Sequence, residues 1–82
     1  MRVVRLYTRP GCHLCDEARE SILALRGELP AFELREVDIE RDAELHARYL
    51  ERIPVVEVDG EVVSELGFEP RRLRVSLDTV RP

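Results

Sequence analysis

Two cysteines, Cys12 and Cys15, stand two residues apart in the stretch TRPGCHLCDEA, residues 8 to 18, and no other cysteine occurs in the chain. Such a pair has three chemical uses: a metal clamp, a structural staple, or working thiols. A bridge between Cys12 and Cys15 closes a very small loop and constrains the unfolded chain only slightly, which argues against the staple. A clamp would draw on Cys12, Cys15, His13 and His46, the soft ligands available. A structural zinc site takes four protein ligands at suitable spacing, and neither a second Cys-x-x-Cys nor a His pair is present. Ligation shared across a dimer, of zinc or an iron–sulfur cluster, remains the alternative from a non-catalytic class.

The surrounding residues favour working thiols. Pro10 and Gly11 stop an apolar run, and the residues after Cys12 have helical spacing. Cys12 therefore falls at a helix start, where unpaired N–H groups and the positive end of the helix dipole favour thiolate over thiol. Cys15, three residues on, returns to the same face one turn later. One sulfur can then attack a disulfide while the other waits to resolve the mixed disulfide. Arg9 could add positive charge near the thiolate or an anionic substrate. His13 would favour thiolate if protonated, although an exposed histidine paired with Glu17 is the plainer reading. Asp16 and Glu17 oppose thiolate formation. Dipole and exposure are expected to outweigh them, making Cys12 the more acidic thiol.

The elements that must position this pair read in the order β-α-β-α-β-β-α. RVVRLYT (2–8) is a buried strand. The first helix runs from Cys12 to about Arg26, with Leu14, Cys15, Ala18, Ile22 and Leu25 apolar and Gly27 as its stop. AFELREVDI (31–39) is a strand whose alternation slips near Arg35 and Glu36, as an edge strand or a bulge would allow. Asp42 is a candidate N-cap for a helix through AELHARYLER, with Leu45, Tyr49 and Leu50 on its apolar face. In IPVVEVDGEVVSEL, Asp59-Gly60 signals a hairpin, and Pro54 must begin its strand. The tail FEPRRLRVSLDTV is read as a helix with Pro70 in its first turn and Leu73, Leu77 and Val80 apolar, although Leu73, Val75 and Leu77 also alternate. The first two strands, joined by a helical crossover, should be parallel and right-handed.

Eighty-two residues make one small domain, 1–82, with limited surface to bury. A formal net charge of −4 argues against a nucleic-acid footprint. No apolar run approaches the roughly 20 residues that span a bilayer, and MRVVRLYTRP lacks the apolar core of a signal peptide. A cytoplasmic monomer without nucleic-acid or membrane partners is expected. All non-histidine basic residues are arginine, and Lys, Asn, Gln and Trp are absent. That bias would suit a thermophile or a GC-rich genome.

LYTRPGCHLCDEA, VDIERDAELHARY and RIPVVEVDG together resemble a glutaredoxin-type member of the thioredoxin-fold superfamily, over roughly residues 2 to 63. The resemblance implies a three-layer α/β/α domain with a four-stranded mixed sheet in the order 2-1-3-4. It implies Cys12 as the attacking thiolate, Cys15 as the resolving thiol and no bound cofactor. Pro54 would be a cis proline beside the disulfide, with Ile53 offering backbone hydrogen bonds to substrate. Arg9 matches a basic residue near the glutathione carboxylate, and Tyr7 an aromatic at the end of strand 1, which could line the groove, pack as a strand-end residue, or do both. Glutaredoxins usually carry a Gly-Gly pair and an acidic residue after strand 4, where this chain reads SELGFEPRR. His13-Leu14 replaces their usual Pro-Tyr. The expected function is reduction or exchange of disulfides in proteins or small thiols, with glutathione or a thioredoxin system as reductant. A redox adaptor that recognises one partner through Ile53 and Pro54 is the remaining alternative. Arg71, Arg72 and Arg74 are read as a solvated basic face.

Overall fold

Val4, Leu6, Tyr7 and Thr8 are buried in β1 (Arg2–Thr8), which lies at the centre of the sheet because both faces of this short run are covered. The computed structural model describes residues 1–78; Val80, read above as part of the last helix, falls outside them. The elements that follow are α1 (His13–Leu25), β2 (Phe32–Asp38), α2 (Ala43–Tyr49), β3 (Val55–Val58), β4 (Glu61–Ser64) and α3 (Pro70–Asp78). The four strands form one mixed sheet in the order β2-β1-β3-β4. β1 is parallel to β2 and antiparallel to β3, which forms the hairpin with β4.

Alternation along β1 and β3 divides the interior in two. Leu6 lies opposite Val56 and Val4 opposite Val58. These four residues meet Ala18 and Ile22 of α1 and Leu73 and Leu77 of α3 in one apolar cluster. On the other face Tyr7 and Val55 lie opposite each other and meet Tyr49 of α2, Ile39 and Cys15. The sheet therefore has α1 and α3 on one side and α2 on the other, the expected three layers. The alternation of Leu73, Val75 and Leu77 does not make a strand: Leu73 and Leu77 are buried on a helix and Val75 is exposed.

Several boundaries differ from the sequence reading. Gly27 does not end α1 by a left-handed turn; the chain tightens at Leu25 into a 3₁₀ turn over Arg26–Glu28 that contains it. The slip near Arg35 and Glu36 is no bulge, since β2 stays in continuous register with β1 and is simply an edge strand. The register shift lies in the hairpin, where Val63 is the extra residue between Val62, opposite Glu57, and Ser64, opposite Val56. α2 ends at Tyr49, short of Arg52, and Leu50 is exposed, so its apolar face is Leu45 and Tyr49.

Local signals account for the turns. Asp59 and Gly60 have φ of 49° and 90°, as a two-residue hairpin turn with left-handed central positions demands. Asp59 also holds the turn against the first strand. Its N–H donates to Val3 O and its Oδ1 accepts from Val3 N, both at 2.9 Å. Asp42 caps α2, its Oδ1 accepting from Glu44 N at 2.9 Å and Leu45 N at 3.2 Å. Asp42→Ala is expected to cost about 1 kcal/mol of stability, measured as a lower urea midpoint with an unchanged slope.

Candidate functional site

The loop between β1 and α1 sets Cys12 at the helix start. Gly11 has φ of +80°, a conformation that a side chain resists, and it turns the chain so that Cys12 becomes the N-cap. Cys12 is extended in its backbone, and its Sγ accepts the backbone N–H of Cys15 at 3.2 Å. The two sulfurs are joined as a disulfide, with the α-carbons 5.2 Å apart. Cys12 is half-buried and Cys15 is 1% exposed. One sulfur can therefore meet a partner molecule, while the other is sheltered behind it. On reduction, the N–H aimed at Cys12 Sγ and the helix start both favour the thiolate there.

Ile53 and Pro54 lie just ahead of β3. The peptide bond between them is cis, and both residues are buried. Ile53 shares one apolar cluster with Cys15, Tyr7 and Tyr49, and Cys12 packs against it. The N–H of Ile53 donates to Tyr49 O at 3.0 Å. The expected backbone contact to substrate thus narrows, because this donor already closes the end of α2. Arg9 is exposed in the loop ahead of Cys12, and His13 is exposed beside it. Among the described residues His13 makes no ion pair with Glu17. Asp16 is paired with Arg19 at 3.2 Å.

Tyr7, read as able to line a groove, to pack, or to do both, packs against Tyr49. Its ring lies 4.8 Å from that of Tyr49, beneath the cysteine pair. Glu57 is buried at 9% exposed, directly across from Arg5 and diagonal to Tyr7 on the same sheet face. Tyr49 Oη donates to Glu57 Oε2 at 3.4 Å. The Tyr7 hydroxyl is pushed up to about 12, by burial first and then by the charge and hydrogen bonding of Glu57. Sequence reasoning passed over Glu57. The available signal was an acid inside the apolar run Val55–Val58, where a buried carboxylate needs partners.

The sign of this perturbation gives an alkaline prediction. Unfolded, Tyr7 loses its proton near 10.0, whereas the native hydroxyl keeps it up to about 12. Between those values the native state binds the extra proton, so stability falls as pH rises. Tyr7→Phe is expected to remove that part of the alkaline loss. Urea midpoints of both proteins at neutral and alkaline pH measure it.

The three basic residues of the last helix are exposed, and two of them have partners. Arg72 pairs with Glu69 at 2.9 Å, and Arg74 donates to Glu28 O at 3.3 Å. Among the described residues, no group of three or more His, Cys, Asp or Glu side chains stands together as a metal site would require. No helix among them is long and apolar enough to cross a membrane.

A mixed 2-1-3-4 sheet with a Cys-x-x-Cys pair opening its first helix defines a thioredoxin-fold domain of glutaredoxin-like type. The chain belongs to the glutaredoxin-like domain family (DUF836), whose model matches residues 3–78. It is 31% identical to a glutaredoxin-like protein of Dictyostelium discoideum over 84 residues, covering 94% of this chain and 76% of that protein. The solution structure of protein Ne2328 from Nitrosomonas europaea superposes with a TM-score of 0.83 at 26% identity, covering 94% of this chain and 92% of that one. A Fasciola hepatica thioredoxin shares the fold, with a TM-score of 0.58 at 24% identity over 93% of this chain and 77% of its own.

Proposed function

We propose that this protein is a dithiol oxidoreductase that reduces or exchanges disulfides of proteins or small thiols. The observation that carries the reading is the unequal exposure of the pair: Cys12 half-buried at a helix start, with a backbone N–H on its sulfur, and Cys15 sheltered behind it. In the reduced protein the Cys12 thiolate attacks one sulfur of the substrate disulfide. A mixed disulfide forms, and the other substrate sulfur leaves as a thiol after taking a proton. Cys15, losing its own proton, then attacks Cys12 Sγ. The second substrate thiol is released, and the Cys12–Cys15 disulfide remains. Two electrons have passed from the pair to the substrate. Glutathione or a thioredoxin system returns them, and no bound cofactor takes part.

The other residues have supporting roles in this reading. Arg9 supplies positive charge at the approach to Cys12, and exposed His13 adds to it when protonated. Ile53, Tyr7 and Tyr49 form the apolar bed against which the cysteine pair packs, and in this reading Ile53 and Pro54 present the backbone that meets the substrate. Steady-state reduction of a small disulfide and a protein disulfide, with glutathione and thioredoxin compared as reductants, tests the proposal. Turnover with at least one reductant is expected. Failure with both, on both substrates, would contradict it.

A further inference from the structure

β4 is an edge strand: β3 lies on one side of it, and among the described residues no strand lies on the other. The hairpin decides which of its backbone groups face outward. Asp59 N–H donates to Val3 O, next to β1, and bonding direction alternates along a strand. Glu57 therefore also turns towards β1, and Val58 towards β4. Val58 and Glu61, which flank the two-residue turn, are the pair that bond to each other. Val62, opposite Glu57, must then point its N–H and C=O away from the sheet. Beyond Val62 the row is interrupted. Val63 is the bulge residue, and its C=O accepts from Arg72 Nη1 at 3.5 Å. The open edge is thus centred on one residue, whose side chain is itself 42% exposed.

A groove of about 520 Å³ runs beside this edge, between β4 and α3. Val62, Val63 and Val75 form its apolar wall, and Val75 is 60% exposed. Charge is separated along the groove. Glu61 stands at the hairpin end, whereas Arg71 and Arg72, in the first turn of α3, stand at the other end beside Val63. Glu61 also interacts within its own chain, and a carboxylate accepts more than one donor. Glu61 lies across Val58 from Val4, so the open edge is towards one end of the sheet. The cysteines follow the opposite end of β1.

This surface is complementary to itself. A second copy related by a two-fold axis at Val62 runs its β4 antiparallel to the first. Each Val62 then donates its N–H to the C=O of the other, which satisfies the open groups on both copies. The same rotation sets the acidic end of one groove against the basic end of the other, so that Glu61 faces Arg71 of the partner subunit. We infer that this protein forms a weak two-fold dimer through β4 and the groove beside it, joining two sheets into one. The dimer replaces the monomer expected from the sequence. A contact made by one short strand and one groove belongs with small interfaces, so it should dissociate on dilution.

The test is sedimentation equilibrium of the full chain, from about 10 μM to about 1 mM, with a thiol reductant present to exclude disulfide-linked species. The average mass of wild type should rise with concentration from one chain towards two, and no further. Val62→Pro removes the outward donor at a place where an edge strand accepts proline. Its melting temperature should stay close to that of wild type, and its mass should stay that of one chain. Arg71→Glu should also be monomeric, and adding Glu61→Arg to it should restore the dimer.

A wild type that is monomeric throughout would overturn the inference, the edge then being open to a strand of a different protein. So would a dimer that survives both Val62→Pro and Arg71→Glu, or masses that grow beyond two chains. If Val62→Pro does not fold, the charge exchange decides alone. A doubly exchanged protein no more dimeric than Arg71→Glu would then overturn the inference.

Discussion

Cys12→Ser is expected to reduce disulfide exchange to the uncatalysed background while leaving the protein folded. The two halves of this result follow from different properties of one atom. A serine hydroxyl does not ionise near neutral pH, so the nucleophile is gone. Cys12 is also the N-cap of α1, its sulfur accepting the Cys15 N–H at 3.2 Å. Serine is a good N-cap, and its oxygen can accept the same bond. The urea midpoint of the reduced protein should therefore change little, which separates loss of chemistry from loss of structure. Cys15 calls for a different substitution. It is almost fully buried among Tyr7, Ile39 and Ile53, where an unpartnered serine hydroxyl would cost about 1–3 kcal/mol. Cys15→Ala is the cleaner variant. It should complete the first attack, stall as a mixed disulfide, and turn over only when an external thiol releases the product.

Ile22→Ala should have the largest effect on stability. Ile22 is wholly buried on α1, in the cluster that joins the helix to Val4, Leu6 and Val56 of the sheet and to Leu73 of α3. Removing most of a buried aliphatic side chain costs about 2–5 kcal/mol, against a total of about 5–15 kcal/mol for a domain. The neighbouring Leu23, exposed to solvent, is the control. Leu23→Ala should stay within about 0.5 kcal/mol of wild type. Urea unfolding of both variants measures the difference. Because α1 carries both cysteines, a partly unfolded Ile22→Ala protein should also lose activity in proportion to its unfolded fraction.

The order of elements, the parallel first pair, the Asp59-Gly60 turn and the Asp42 cap were legible because each rests on a local signal. Period, a turn dipeptide and a capping oxygen act within a few residues of where they are read. The cysteine pair was legible for the same reason: spacing and a helix start lie in one short stretch. Other features depend on which residues share a sheet face, and that follows from register. Tyr7 reads as an aromatic at the end of a strand. Only the pairing of β1 with β3 sets it diagonal to Glu57 and against Tyr49. Leu14 fitted the helical period, yet it projects outward because the core is reached through Cys15, Ala18 and Ile22. Leu66 carried no local signal, since its left-handed backbone is imposed by the tether to Arg52. The bulge at Val63 arises from the register of β4 against β3, which short-range alternation in a four-residue strand does not specify.

The central claim is that Cys12 attacks and Cys15 resolves. Mass spectrometry of reduced Cys15→Ala protein, mixed with a disulfide-bonded peptide, tests this most directly. The account predicts a covalent adduct of one peptide thiol on Cys12, released by a dithiol reductant, with no adduct in the Cys12→Ser protein. Absence of the adduct from Cys15→Ala, together with its appearance on Cys15 in Cys12→Ser, would contradict the account.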